Sequence, residues 1–145
     1  MTALDSGAEQ LVDWTEFQRT RAELGANFVR ILGYFREDGE KAVGRIEAAM
    51  HERDATALIL PAHTMKSEAR QFGAEPLGHL AEEIEVAARR AVEAHLFPDH
   101  IVPDVAKLRP LYLRTMDLLE RETNPLAQRR RTFGRAPSNQ EFGRL

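Results

Sequence analysis

His63, Lys66, Ser67 and Arg70 lie within about two turns of one predicted helix, and they carry the side chains best placed to do chemistry. The apolar residues of that segment are Leu58, Ala62, Met65, Ala69 and Phe72, which fall within roughly 40° of a common direction at about 100° per residue. By the same count His63 points about 140° away from them, towards solvent. Lys66, Ser67 and Arg70 follow at three, four and seven residues, so one exposed face presents an imidazole, two cations and a small side chain. A neutral imidazole nitrogen is a competent nucleophile near neutral pH. Lys66 and Arg70 could stabilise an anionic phosphoryl group on it, and a small residue at Ser67 leaves room for a partner to close over the ring. The pattern therefore points to phosphoryl transfer through histidine. Taken alone, an exposed histidine beside Lys and Arg is more often a solvated face.

The composition removes competing chemistries. The 145 residues contain no cysteine, so there is no disulfide framework, thiol nucleophile or cysteine-ligated metal. A chain of this length can bury a core without such staples. No phosphate-cradling glycine motif is present, so no ATP or dinucleotide site is expected. A net charge of −3 does not argue for nucleic acid or an anionic membrane. Residues 1–10 lack the basic and apolar regions of a signal peptide, and no apolar run approaches the roughly 20 residues of a membrane span. A cytoplasmic location is expected.

The helices that must position His63 are legible from period and punctuation. A short helix is expected over Trp14–Leu24, capped by Asp13 or Thr15, its Trp14, Phe17 and Leu24 forming a lid. A long helix over about 27–53 carries Phe28, Ile31, Leu32, Phe35, Val43, Ile46, Ala49 and Met50 at three- and four-residue steps; Gly39 could instead divide it. Asp54 reads as the cap of the next helix, Ala55–Phe72, with Pro61 a source of a kink and Gly73 its stop. A helix from Pro76 to about Ala94 has its buried stripe at Leu77, Leu80, Ala81, Ile84, Ala87, Ala88 and Ala91. The last runs from Ile101 to Glu122 on Val105, Leu108, Tyr112, Met116 and Leu119, with Pro110 able to bend or split it. The expected fold is all-α: an antiparallel four-helix bundle with a short additional N-terminal helix. The division is a flexible 1–12, a bundle over 13–123, and a basic tail over 124–145 in which Arg129, Arg130, Arg131, Arg135 and Arg144 face the single acid Glu141.

The segment from Ala62 to Gly73 resembles the signature of histidine-containing phosphotransfer (HPt) domains. That signature has a histidine, Lys three later, usually Gly then Ser, a small residue, an apolar residue at plus nine and Gly at plus ten. His63, Lys66, Ala69, Phe72 and Gly73 match it. The flanking stretches Ala48-Ala49-Met50 to Arg53-Asp54 and Leu77-Gly78-His79-Leu80-Ala81 to Ile84-Glu85 extend the resemblance to roughly 13–122. It implies a four-helix bundle without autokinase activity, a carrier and not a true enzyme. His63 would accept a phosphoryl group from the aspartyl-phosphate of a response-regulator receiver domain and pass it to another receiver, with Lys66 stabilising it. Ser67, Arg70 and Ile59 would bind the partner. No cofactor of its own is implied; magnesium would sit on the receiver, such as that of a hybrid histidine kinase. A monomer is the simplest expectation. The chain departs at Ser67, where Gly is usual, and at Glu68, where Ser is usual; the angle count puts Glu68 off the His63 face.

Other features have plainer readings. His79 with Glu82 and Glu83 runs in the wrong order for a di-iron bundle and has no second copy, so no metal is expected. His51, His95 and His100 sit near helix ends. Glu82, Glu83 and Glu85 with Arg89 and Arg90 read as a solvated charged face, although Glu85 could approach the His63 helix and orient a group there. The arginine-rich tail lacks interleaved stacking aromatics, which argues against nucleic acid. The reading of a different class is a non-catalytic helical adaptor or inhibitor that binds a receiver or histidine kinase, for which His63 would be incidental.

Overall fold

Asp13 begins the ordered sequence of helices by satisfying backbone groups that a helix cannot satisfy itself. Its carboxylate accepts from the amides of Thr15 at 3.0 Å and Glu16 at 3.3 Å, opening α1 (Trp14–Leu24). A 3-10 turn, Gly25–Asn27, leads into α2 (Phe28–Glu52), followed by α3 (Ala55–Gln71), α4 (Glu75–Glu93), a second 3-10 turn at Asp99–Ile101, and α5 (Val102–Thr123). This is a computed structural model, and it describes residues 10–124. Residues 1–9 of the expected flexible N-terminus and residues 125–145 of the basic tail lie outside those described, whereas Val12 is buried in the core. No strand occurs among the described residues, and no helix among them is long and apolar enough to cross a membrane.

Short connections make neighbouring helices antiparallel. Arg53 and Asp54 alone join α2 to α3. Arg53 adopts a left-handed φ of 55°, and its guanidinium stacks over Phe97 at 4.5 Å and pairs with Asp99. Asp54 accepts from the Ala57 amide at 3.1 Å. α2 is one helix through Gly39, and α3 and α5 run on through Pro61 and Pro110. Gly39 has its own reason for being small: a Cβ there would stand 2.4 Å from the Tyr112 ring, whose hydroxyl donates to the Arg36 carbonyl at 2.7 Å.

The expected stripes meet in one core. Phe28, Phe35, Phe72, Leu58, Met65, Leu77, Ile84, Leu108, Tyr112 and Leu119 are buried. Phe72 lies at the centre of an aromatic set, stacked on Phe35 at 5.5 Å and edge-on to Phe28 at 5.7 Å. Phe17 joins Phe28 to Trp14, so α1 covers one end of the bundle as a lid. α3 packs along α4, and this pair carries the site.

Glu68 is half-buried and turned away from His63, towards Asp38 of α2. Burial, reinforced by the Asp38 carboxylate, raises its pKa to about 7 from an ordinary 4.5. The folded state thus holds a proton that the unfolded chain releases at lower pH. The stabilisation is complete below the ordinary carboxylate value and is lost as pH rises through about 7. Glu68→Gln is therefore expected to flatten the fall in Tm between about pH 5 and about pH 8, raising Tm most at the upper end. Thermal melts at matched ionic strength test this, and parallel wild-type and variant curves would contradict it.

Candidate functional site

His63 projects from α3 with its side chain 48 % exposed, as its angle on the helix requires. What the helix alone does not reveal is the partner beneath the ring. Glu85 of α4 reaches across, placing Oε2 3.0 Å from His63 Nδ1. Lys66, one turn on from His63, sets Nζ 2.9 Å from Glu85 Oε1. Arg89, one turn on from Glu85, donates from Nε at 2.9 Å and lies at 2.8 Å through Nη2. One carboxylate thus collects an imidazole and two cations.

Glu85 is only 4 % exposed, which corrects its reading as part of a solvated face. Burial alone would raise its pKa, but the Lys66 ammonium paired with it and the hydrogen bonds from Arg89 and His63 outweigh burial and lower it to about 2. It is a fixed anion at every physiological pH. A carboxylate of this kind can only accept hydrogen bonds, so it selects the ring tautomer with hydrogen on Nδ1. The unprotonated nitrogen is then Nε2, on the other side of the ring from the buried anion. The sequence did hold a sign of this: Ala81 and Ala88, four before and three after Glu85, belong to the buried stripe of α4, which puts Glu85 on its edge.

The other predicted residues are distributed unevenly. Ser67 is exposed beside His63 on α3. Lys66 is 22 % exposed and held against Glu85, so it lies within the site with its ammonium already paired. Arg70 is engaged elsewhere: it bonds Glu75 at 3.0 Å and Glu82 at 2.9 Å. Gly78 makes room for this crossing, since a Cβ there would stand 2.9 Å from Arg70 Cγ. Arg70 therefore fastens α3 to the start of α4. Ile59 is half-buried against the core, whereas Leu60, which the sequence reading passed over, is 68 % exposed. Leu60 lies three residues before His63, one turn away on the same face.

A groove of about 900 Å³ runs along α4 and the start of α5, lined by Glu83, Val86, Ala94, Leu96 and Phe97 among others, but His63 does not line it. Nor does any group of three His, Asp or Glu residues suited to a metal ion occur among the described residues; His79 instead pairs with Glu83 at 3.2 Å. The arrangement is an exposed imidazole backed by a buried, charge-paired carboxylate.

The Hpt domain family model matches residues 30–122. Among solved structures, the chain is similar to the crystal structure of histidine-containing phosphotransfer protein B (HptB) from Pseudomonas aeruginosa PAO1. The two are 21 % identical with a TM-score of 0.68, over 82 % of this chain and 96 % of that one. At this identity the likeness concerns the fold. No curated protein matches the chain.

Proposed function

This chain belongs to the Hpt domain family, and from that premise we propose that it is a phosphorelay intermediate carrying a phosphoryl group on His63. The observation that supports this most is the contact between His63 Nδ1 and the buried Glu85 carboxylate, because it frees Nε2 for attack. In the proposed reaction Nε2 attacks the phosphorus of an aspartyl-phosphate on a response-regulator receiver domain. The P–O bond to the aspartate breaks as the P–N bond forms, and a second receiver takes the group by the reverse step. The receiver contributes the aspartate and a magnesium ion. This chain contributes the oriented ring and, in Lys66, a cation beside it. Its setting is then the cytoplasm, where receivers act.

Docking follows from the same face. Leu60 and Ser67 flank His63 along α3 and would meet the rim of the receiver's site. A few residues near the centre of an interface carry most of a complex's sensitivity to substitution, and Leu60 is exposed one turn from the His63 ring. Leu60→Asp is expected to weaken binding of a cognate receiver roughly tenfold while leaving the far-UV circular dichroism unchanged. Titration calorimetry giving equal affinities would remove Leu60 from the docking surface.

The test of the function is transfer from a phosphorylated receiver, read by intact mass. A gain of one acid-labile phosphoryl group supports the carrier reading. Binding without any gain, with every receiver of the same cell, would replace it with the adaptor reading.

A further inference from the structure

The group facing Nδ1 is a carboxylate, and a carboxylate tolerates only a ring that carries hydrogen on Nδ1. An amide in the same place could turn its oxygen to a protonated Nδ1 or its NH₂ to a bare one. Glu85 offers oxygen alone, and its negative charge is fixed by burial among cations. If Nδ1 lost its hydrogen, two acceptors would face one another at about 3.0 Å, with the anion's charge against a lone pair. The charged groups around this contact are Lys66 on α3 and Arg89 on α4, both paired to Glu85. Glu82, further along α4, is held by Arg70.

We infer that Glu85 keeps a proton on Nδ1 of the phosphorylated His63 ring, and so makes this chain a transit carrier that gives its phosphoryl group up quickly rather than a store that retains it. The inference rests on the phosphorelay reading and goes beyond it, from which residue is labelled to how long the label stays. The chemistry lies in the leaving group. When the phosphoryl group departs, the P–N bond to Nε2 breaks and its electron pair returns to the ring. A new P–O bond forms to the receiver's aspartate, or to water, which yields inorganic phosphate. With Nδ1 protonated, the ring leaves as neutral imidazole. Without that proton it would leave as an imidazole anion, a far poorer leaving group. Glu85 touches only the far nitrogen of the ring and acts as a positioning residue.

The test needs no partner for its first arm. The full chain and Glu85→Gln are phosphorylated with phosphoramidate, freed of the donor, and followed by ³¹P NMR and intact mass between about pH 6 and about pH 9. The expected result is that wild type loses its phosphoryl group at a rate nearly independent of pH. Loss from Glu85→Gln slows as pH rises, becoming roughly ten- to a hundredfold slower at the upper end. Transfer to a receiver should slow in the same sense. Arg89→Ala, which leaves Glu85 in place with one cation fewer, should lose the group at least as fast as wild type. A general loosening of the fold would move both variants in one direction. Equal rates and equal pH profiles for wild type and Glu85→Gln, or faster loss from Glu85→Gln, would overturn the inference while leaving His63 as the carrier. Failure of wild type to be labelled on His63 by phosphoramidate and by any receiver would instead remove the reading beneath it.

Discussion

A His63→Gln chain incubated with a phosphorylated receiver is expected to show no added phosphoryl mass where wild type shows one, a loss limited only by the sensitivity of the measurement. Glutamine keeps a neutral amide that can still donate to Glu85, so the buried carboxylate is not orphaned. Lys66 and Arg89 also remain on it. With the side chain half exposed, the change in stability should stay within about 0.5 kcal/mol. Rescue by another histidine is not expected. His51, His79, His95 and His100 are exposed, and of these His79 pairs only with the exposed Glu83. Two measurements on one sample, intact mass and receiver affinity, separate the possibilities. Lost labelling with retained affinity assigns the chemistry to the imidazole. A mass gain surviving in His63→Gln would move the acceptor elsewhere.

The parts of the molecule that could be read in advance are those set by neighbours in the chain. Helix boundaries followed from Asp13, Asp54 and Gly73, each of which acts on backbone groups within a few residues. The exposure of His63 followed from its angle to Leu58, Met65 and Ala69, a property of one helix. The unbroken α2 was also favoured by pattern, although the reason Gly39 is tolerated could not be: its partner is the Tyr112 ring of α5, more than seventy residues away.

Side-chain partners across helices were harder to read: the sequence offered Glu85 both as part of a solvated face and as able to approach the His63 helix, and the structure shows the second. Glu85 with Arg89 has the four-residue spacing of an ordinary surface ion pair, and only the packing of α3 on α4 turns that pair inward beneath His63. Arg70 shares the angular face of His63, yet its long side chain follows the gap above Gly78 to Glu75 and Glu82. Leu60 and Ile59 differ by one residue and hence by about 100°, enough to leave one exposed and tuck the other against the core. A candidate phosphoacceptor can thus be found from one helix, while the side chains that contact it belong to the interface between two.

Gly73 joins the motif to the fold, and Gly73→Ala is expected to produce the largest loss of stability among single-methyl changes in the motif. Its φ of +81° lies in the region that side chains disfavour, and an added Cβ would stand 2.6 Å from the Asp13 carbonyl oxygen and 3.3 Å from the Phe17 amide. The near atoms are backbone and cannot swing aside. The same turn receives the Asp13 amide at its own carbonyl at 2.8 Å, and Gln71 nearby receives the Thr20 hydroxyl at 2.6 Å, so α1 is hung on it by several bonds at once. Left-handed strain and steric conflict together should cost about 2–4 kcal/mol, lowering Tm by roughly 10 °C. The fault should appear first in α1, whose Trp14 is the chain's single tryptophan and packs edge-on to Phe17 at 5.0 Å. Its fluorescence should shift to longer wavelength below the main transition, as the lid lifts before the bundle melts. His63 stands on the α3–α4 pair and not beneath that lid, so labelling at low temperature should persist in Gly73→Ala. If Tm and Trp14 emission are both unchanged, α1 is not held against this turn, and the glycine of the motif has no structural duty here.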